Sequence, residues 1–181
     1  MFNLFKKKIE PNLDRSREEI VERILQNNEA YYNVTRVEEK LEVPLVARCD
    51  FFESVEKYLI SKKAELYTTQ SEEFLYIFSI NHLDMELYTK CKEYALEDAM
   101  PRMNIGPDHM CSVVGYHFIV DTYDEDVEKA IKKCKIYKSF RFSLHGWMSG
   151  RMALIGVKDK VFISNPEGHS MAKALAQILI N

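Results

Sequence analysis

The sequence predicts an α+β domain: a largely antiparallel or mixed β-sheet covered by helices. Three observations carry that expectation. "LVARCDF" alternates apolar and polar residues with the two-residue period of a strand, whereas "FLYIFSI" and "CSVVGYHFIVD" are apolar on both faces, as covered central strands are. Stretches with helical spacing lie between the strands and open on capping residues. The element order also contains hairpins, which a purely parallel sheet cannot hold. The regular βα alternation and glycine-rich first turn of a doubly wound nucleotide fold are both missing.

Ser16 and Glu19 form a capping-box pair, and Ile20, Val21, Ile24, Leu25, Tyr31 and Tyr32 carry an apolar helical stripe to about Tyr32. Pro44 opens a strand in which Leu45, Ala47, Cys49 and Phe51 share one face and Val46, Arg48 and Asp50 the other. A second alternating stretch runs from Lys57 to Tyr67, with "TTQSEE" as a turn before the strand Phe74 to Ile80. Asn81 and Asp84 mark a helix start, and Leu83, Leu87, Cys91, Tyr94 and Ala95 its buried stripe. "MPRMNIGPDH" breaks that helix before the strand Cys111 to Asp121.

Thr122 and Glu125 suit reciprocal capping of the next helix, whose core side is Val127, Ala130, Ile131 and Cys134. Acidic residues crowd its start and Lys132, Lys133 and Lys135 its end, the order a helix dipole favours. "FRFSLHGWMSGRMALIG" and "KVFIS" supply two or three more strands. Asn165 then caps a final helix with Pro166 in its first position and Met171, Ala172, Leu175, Ile178 and Leu179 facing inward.

At 181 residues, 46% of them hydrophobic and 29% charged, the chain fits one globular domain. We expect a flexible N-terminal segment over 1–12 and a single domain over 13–181. Within it, 45–98 and 139–180 repeat a hairpin–helix order, which raises an internal duplication as a hypothesis.

A net charge of −3 gives no whole-chain attraction to nucleic acid or an anionic membrane, and no apolar run approaches the roughly 18 residues of a membrane span. The basic run Lys132, Lys133, Lys135 and Lys138 reads as a solvated helix face. Cys49, Cys91, Cys111 and Cys134 are dispersed, as small apolar residues in a reducing cytoplasm would be. Phosphate loops, dinucleotide fingerprints, zinc-hydrolase helices and nucleophile elbows are absent, so no cofactor is implied. His109, Cys111 and His117 suit zinc chemically. On one strand, however, Cys111 and His117 stand about 20 Å apart, and no metal site is expected.

The residues left for chemistry are few. His117 interrupts a strand apolar on both faces and reads as a core histidine or an acid–base or ligand group; His145 is the second histidine candidate. Arg48, Asp50, Arg141, His145 and Arg151 are candidates for an anion site, because arginine forks bind carboxylate or phosphate in bidentate fashion. They would converge if their strands lie together. Trp147, beside Gly146, shields a sheet end or serves as an interaction anchor.

Two function classes follow. One is a protein-interaction or sensor-like module with a protein partner or a second copy of itself, and it asks for no hidden constellation. The other is a binding protein or enzyme for a small anionic metabolite.

Overall fold

The structure, a computed structural model, describes residues 11–57 and 67–180. In chain order its elements are α1 (Arg17–Asn28), β1 (Asn33–Arg36), β2 (Leu45–Lys57), β3 (Tyr67–Leu83), α2 (Met85–Ala99), β4 (His109–Tyr123), α3 (Glu125–Lys133), β5 (Tyr137–Ser139), β6 (Trp147–Gly156), β7 (Val161–Ser164) and α4 (His169–Ile178). A short 3-10 turn, Met100–Arg102, follows α2.

Among the described residues the strands form one 7-stranded mixed sheet in the order β1-β2-β3-β4-β6-β5, with β7 also paired to β6. The expected α+β fold with helices over a mixed sheet is what forms. Its centre, β3-β4-β6, is parallel, and the outer pairings are antiparallel. β4 occupies one edge of β6 from Trp147 to Gly156, so β5 and β7 share the other edge end to end.

The connections explain the layers. β3 to β4 and β4 to β6 step the same way across the sheet, so crossovers of one hand place α2 and α3 on one face. There Tyr76, Phe78, Tyr116, Phe118, Met152 and Leu154 meet Tyr88, Cys91 and Ala95 of α2 and Val127 and Ile131 of α3. Phe78 and Phe118 stack with centroids 5.3 Å apart. α1 and α4 cover the opposite face, where Ala47, Cys49, Leu75, Ile77, Ile119, Ala153 and Ile155 receive Ile20, Ile24, Leu25, Ala172 and Leu175. "FLYIFSI" and "YHFIV" are therefore apolar on both faces because both faces are roofed. The helices that follow the two hairpins, α2 and α4, lie on opposite faces of the sheet.

Local signals are satisfied atom by atom at α1: Ser16 Oγ accepts from Glu19 N at 3.2 Å, and Ser16 N donates to Glu19 Oε2 at 2.8 Å. Such a cap contributes about 1 kcal/mol. The helix nevertheless ends at Asn28 instead of reaching Tyr32, because Glu29 to Tyr32 bond back onto its last carbonyls and the chain turns into β1.

Other expectations are corrected. "TTQSEE" is strand and not turn: β2 runs on to Lys57 and supplies a ladder partner for every residue from Thr68 to Glu73. Ladder bonds outweigh the turn preference of polar residues. Most of the alternating stretch Lys57 to Tyr67 lies outside the described residues. α2 starts one residue after Asp84, whose Oδ1 accepts from Leu87 N at 2.8 Å, while Asn81 remains in β3. At α3 the cap position falls on Asp124, because β4 continues to Tyr123 and Thr122 Oγ1 bonds the His82 ring at 2.9 Å. α4 starts at His169, beyond Pro166. Asn165 accepts from Gly168 N and Met152 N, each at 2.8 Å, and so ties the turn to β6.

The largest correction concerns "FRFSLHG". It is a loop, with Arg141, Phe142 and Ser143 at φ 45, 55 and 67° and Gly146 at 68°. Consecutive left-handed residues cannot pleat. β4 provides a pairing edge only from Cys111, opposite Trp147, so the chain before Trp147 has no strand to join on that side. Phe140 N donates to Gly146 O and His145 N to Phe140 O, which closes the loop. Phe142 is 99% exposed and Leu144 76% exposed, not turned inward.

Candidate functional site

β4 is the middle strand, and its α1/α4 face is the floor of a cleft. Register places Leu75, Gly115 and Arg151 side by side across β3, β4 and β6, with Ile77, His117 and Ala153 in the row two residues further on. The cleft above them has a volume of about 290 Å³. Asn27, Asn28 and Tyr32 form one wall at the end of α1; Ser170, Met171, Ala174, Leu175 and Ile178 of α4 form the other.

Gly115 leaves room for the side chains above it: a Cβ there would press on the ends of Leu75 and Met171, which would have to shift. The helices run in opposite directions, since Asn12 N, just ahead of α1, donates to Leu179 O at the end of α4 at 2.7 Å. The negative end of α1 and the positive end of α4 therefore both border the cleft.

His117 is only 4% exposed and lines this cleft. Among the described residues neither ring nitrogen has a hydrogen-bond partner. Burial pushes its pKa down to about 4, so at neutral pH it is an uncharged imidazole offering one donor and one acceptor. Beside it, Tyr32 Oη donates to Glu73 Oε2 at 2.7 Å. Burial first, and then that carboxylate, raise the Tyr32 phenol above its ordinary range. Arg151 Nη1 stands 3.7 Å from Glu73 Oε1, beyond hydrogen-bond distance, and makes no shorter polar contact among the described residues. The cleft thus joins an apolar wall, an acid, a guanidinium fork and a neutral imidazole.

The candidates from sequence separate into three places. His117 and Arg151 come together in the cleft. Arg48 and Asp50 lie on the opposite face: Arg48 Nη1 bonds Asp98 Oδ1 at 3.0 Å, Arg102 Nη1 bonds Asp98 Oδ2 at 2.8 Å, and Asp50 pairs with Arg102. Tyr76 Oη adds a bond of 2.5 Å to Asp98. Burial opposes charge on Asp98, but Tyr76, Arg102 and Arg48 outweigh it and hold its carboxyl below the usual range. Two arginines and two aspartates there neutralise one another and tie β2 to α2.

Arg141 and His145 sit in the loop before β6, three strand spacings or about 14 Å across the sheet from β2. The expected convergence of Arg48, Asp50, Arg141 and His145 required 140–145 to be a strand. Trp147, 38% exposed, stands at the end of β6 opposite Cys111 and Ser139.

His109 contrasts with His117. Its Nδ1 donates to His145 O at 2.7 Å, and its Nε2 lies 2.7 Å from Ser112 Oγ, which donates to Glu72 Oε2 at 3.0 Å. Glu72 also accepts from Asn104 N. That ring is fully used in pinning the loop to β4, and no group of three or more potential metal ligands forms among the described residues.

Sequence reasoning missed Glu73 and Tyr32. Counting back by twos from Ile77 and Leu75 reaches Glu73 on the His117 face, but reading "TTQSEE" as a turn removed that signal.

Fold and cleft together define a three-layer α+β domain with a small polar–apolar cavity under α1 and α4; no helix among the described residues is long and apolar enough to cross a membrane. Residues 16–177 match the family described as a domain of unknown function, DUF8052, and the chain belongs to that family. No curated protein and no solved structure matches it.

Proposed function

We propose that the domain is a sensor-like binding module that holds a small organic ligand bearing an anionic group in the cleft between α1 and α4. The observation that carries this reading is His117, buried at the cleft floor with both nitrogens unpartnered among the described residues. A buried donor or acceptor without a partner costs about 1–3 kcal/mol, and a ligand that supplies the partners recovers that cost. Arg151 provides the charge for the anion. A cavity of about 290 Å³ lies at the lower end of the roughly 300–1,000 Å³ range of ligand sites, which suits a small metabolite. An imidazole with a pKa near 4 is a weak base at neutral pH, which favours recognition over proton transfer.

Native mass spectrometry of the protein purified from its own cells tests this. The expected result is one retained small molecule, with affinity reduced tenfold or more in Arg151→Ala, since a charge-assisted hydrogen bond is worth about 1.5–3 kcal/mol. No retained molecule, or equal retention by the variant, overturns the reading.

A second reading, contact with a protein partner or a second copy, is supported by the loop before β6. Left-handed backbone costs about 1–2 kcal/mol per residue there, and the loop presents Phe142 and Leu144 to solvent beside half-exposed Tyr137 and Trp147. Exposed apolar groups held on a strained turn are what an interaction anchor requires.

A further inference from the structure

We propose that the ligand of the α1–α4 cleft is a zwitterion, a small apolar amino acid whose carboxylate pairs with Arg151 and whose ammonium pairs with Glu73; this rests on the binding reading above. Two independent features of the cleft select both charges at once. The first is electrostatic. Glu73 stands 3.7 Å from Arg151, so the site carries no net formal charge, and a simple anion reaching the guanidinium also meets a carboxylate. Adding an ammonium to the ligand turns that repulsion into a second ion pair. The helix ends reinforce the polarity: the carbonyl end of α1 lies on the Tyr32 side of the cleft, and the amide end of α4 brings Ser170 to the opposite wall.

The second feature is hydrogen-bond matching at His117. A neutral imidazole offers one donor and one acceptor. A carboxylate only accepts, so by itself it leaves the acceptor nitrogen of His117 buried and unpaired. An ammonium donates, and with the carboxylate it supplies both kinds of partner. His117, Arg151 and Glu73 all line this one cavity. The apolar part of the lining, which includes Leu75, Met171, Leu175 and Ile178, takes an aliphatic side chain. Gly115 keeps the floor low enough for Leu75 and Met171 to close over it.

Isothermal titration of the full chain with L-leucine, with its deaminated analogue isocaproate and with its decarboxylated analogue isoamylamine tests the proposal. A thermal-shift panel of the other amino acids runs alongside. Leucine, or the amino acid that gives the largest shift, is expected to bind about tenfold or more tighter than the analogue lacking either charge. Glu73→Gln, which keeps an acceptor for Tyr32, is expected to erase that advantage, with isocaproate binding more tightly once the repelling carboxylate is gone. Isocaproate binding wild type as well as leucine overturns the zwitterion and leaves the anion reading standing. Absence of binding by every amino acid also overturns it. The anion reading falls separately, on the Arg151→Ala retention measurement, and the ligand comparison on wild type needs no variant to fold.

Discussion

His117→Leu is expected to stabilise the ligand-free domain while abolishing binding. Leucine has a volume close to that of histidine and carries no polar atom, so it removes an unpaired donor and an unpaired acceptor from a site that is 4% exposed. Each such group costs about 1–3 kcal/mol; imperfect repacking takes back up to about 1.5 kcal/mol. For the two groups together, the net gain above pH 6.5 is therefore about 0.5–6 kcal/mol.

The pH dependence sharpens the test. Burial holds the folded-state pKa of His117 at about 4, against roughly 6.5 in an unfolded chain. Between those values the unfolded chain takes up a proton that the folded one refuses. Wild type therefore loses stability from this group as pH falls from about 6.5 to about 4, and no more below that. At about 1.4 kcal/mol per pKa unit, the loss is about 3–4 kcal/mol. Urea unfolding of both proteins across this range, with the variant subtracted from wild type, cancels the other titrating groups. The advantage of leucine should grow by the same amount towards acid. A variant less stable than wild type at neutral pH, or a difference flat with pH, refutes the claim that this imidazole is buried without partners.

Gly115→Ala sets a methyl against Leu75 and Met171. It should cost about 1–3 kcal/mol by overpacking and weaken ligand binding as both side chains shift into the cleft, measured by urea unfolding and titration together. Replacing Phe142 and Leu144 together by serine should change stability by no more than about 0.5 kcal/mol, because both are exposed. If the loop joins two copies, the same variant should run as a monomer in light scattering where wild type does not; an unchanged mass for a wild-type oligomer removes the loop from that contact.

The layers were legible because periodicity reports burial directly. Tyr76, Phe78, Tyr116 and Phe118 on one face and Leu75, Ile77 and Ile119 on the other are readable by counting twos. Capping at Ser16 and Asp84 was equally local. Strand order was not legible, since it depends on which edges are free when each strand arrives, and alternation says nothing about edges. The same limit produced the loop error: "FRFSLH" alternates as a strand does, but no edge is offered to it. That error carried Arg141 and His145 onto a sheet face and created the apparent cluster with Arg48 and Asp50. His117 was visible as a polar residue in an apolar strand, whereas its companions Glu73 and Tyr32 come from segments read as turn and helix.

The weight placed on His117 comes from how the rest of the chain treats buried polar groups. Asn165 bonds two amides and the Gly150 carbonyl, His109 uses both nitrogens, Ser112 and Glu72 are joined, and even Asn28 finds the Cys49 sulfur at 3.6 Å. The Asp50 oxygen left over belongs to a carboxylate already paired with Arg102, and the unpartnered Tyr116 hydroxyl lies in the apolar layer under α2 and α3. Among the described residues, His117 alone combines near-complete burial, two unpartnered ring nitrogens and a place in the cleft lining. Phenylalanine or leucine would pack there at less cost. Local rules broken without compensation from the protein's own groups mark places where function sets the residue, and the compensation expected here is a ligand with a donor and an acceptor to offer.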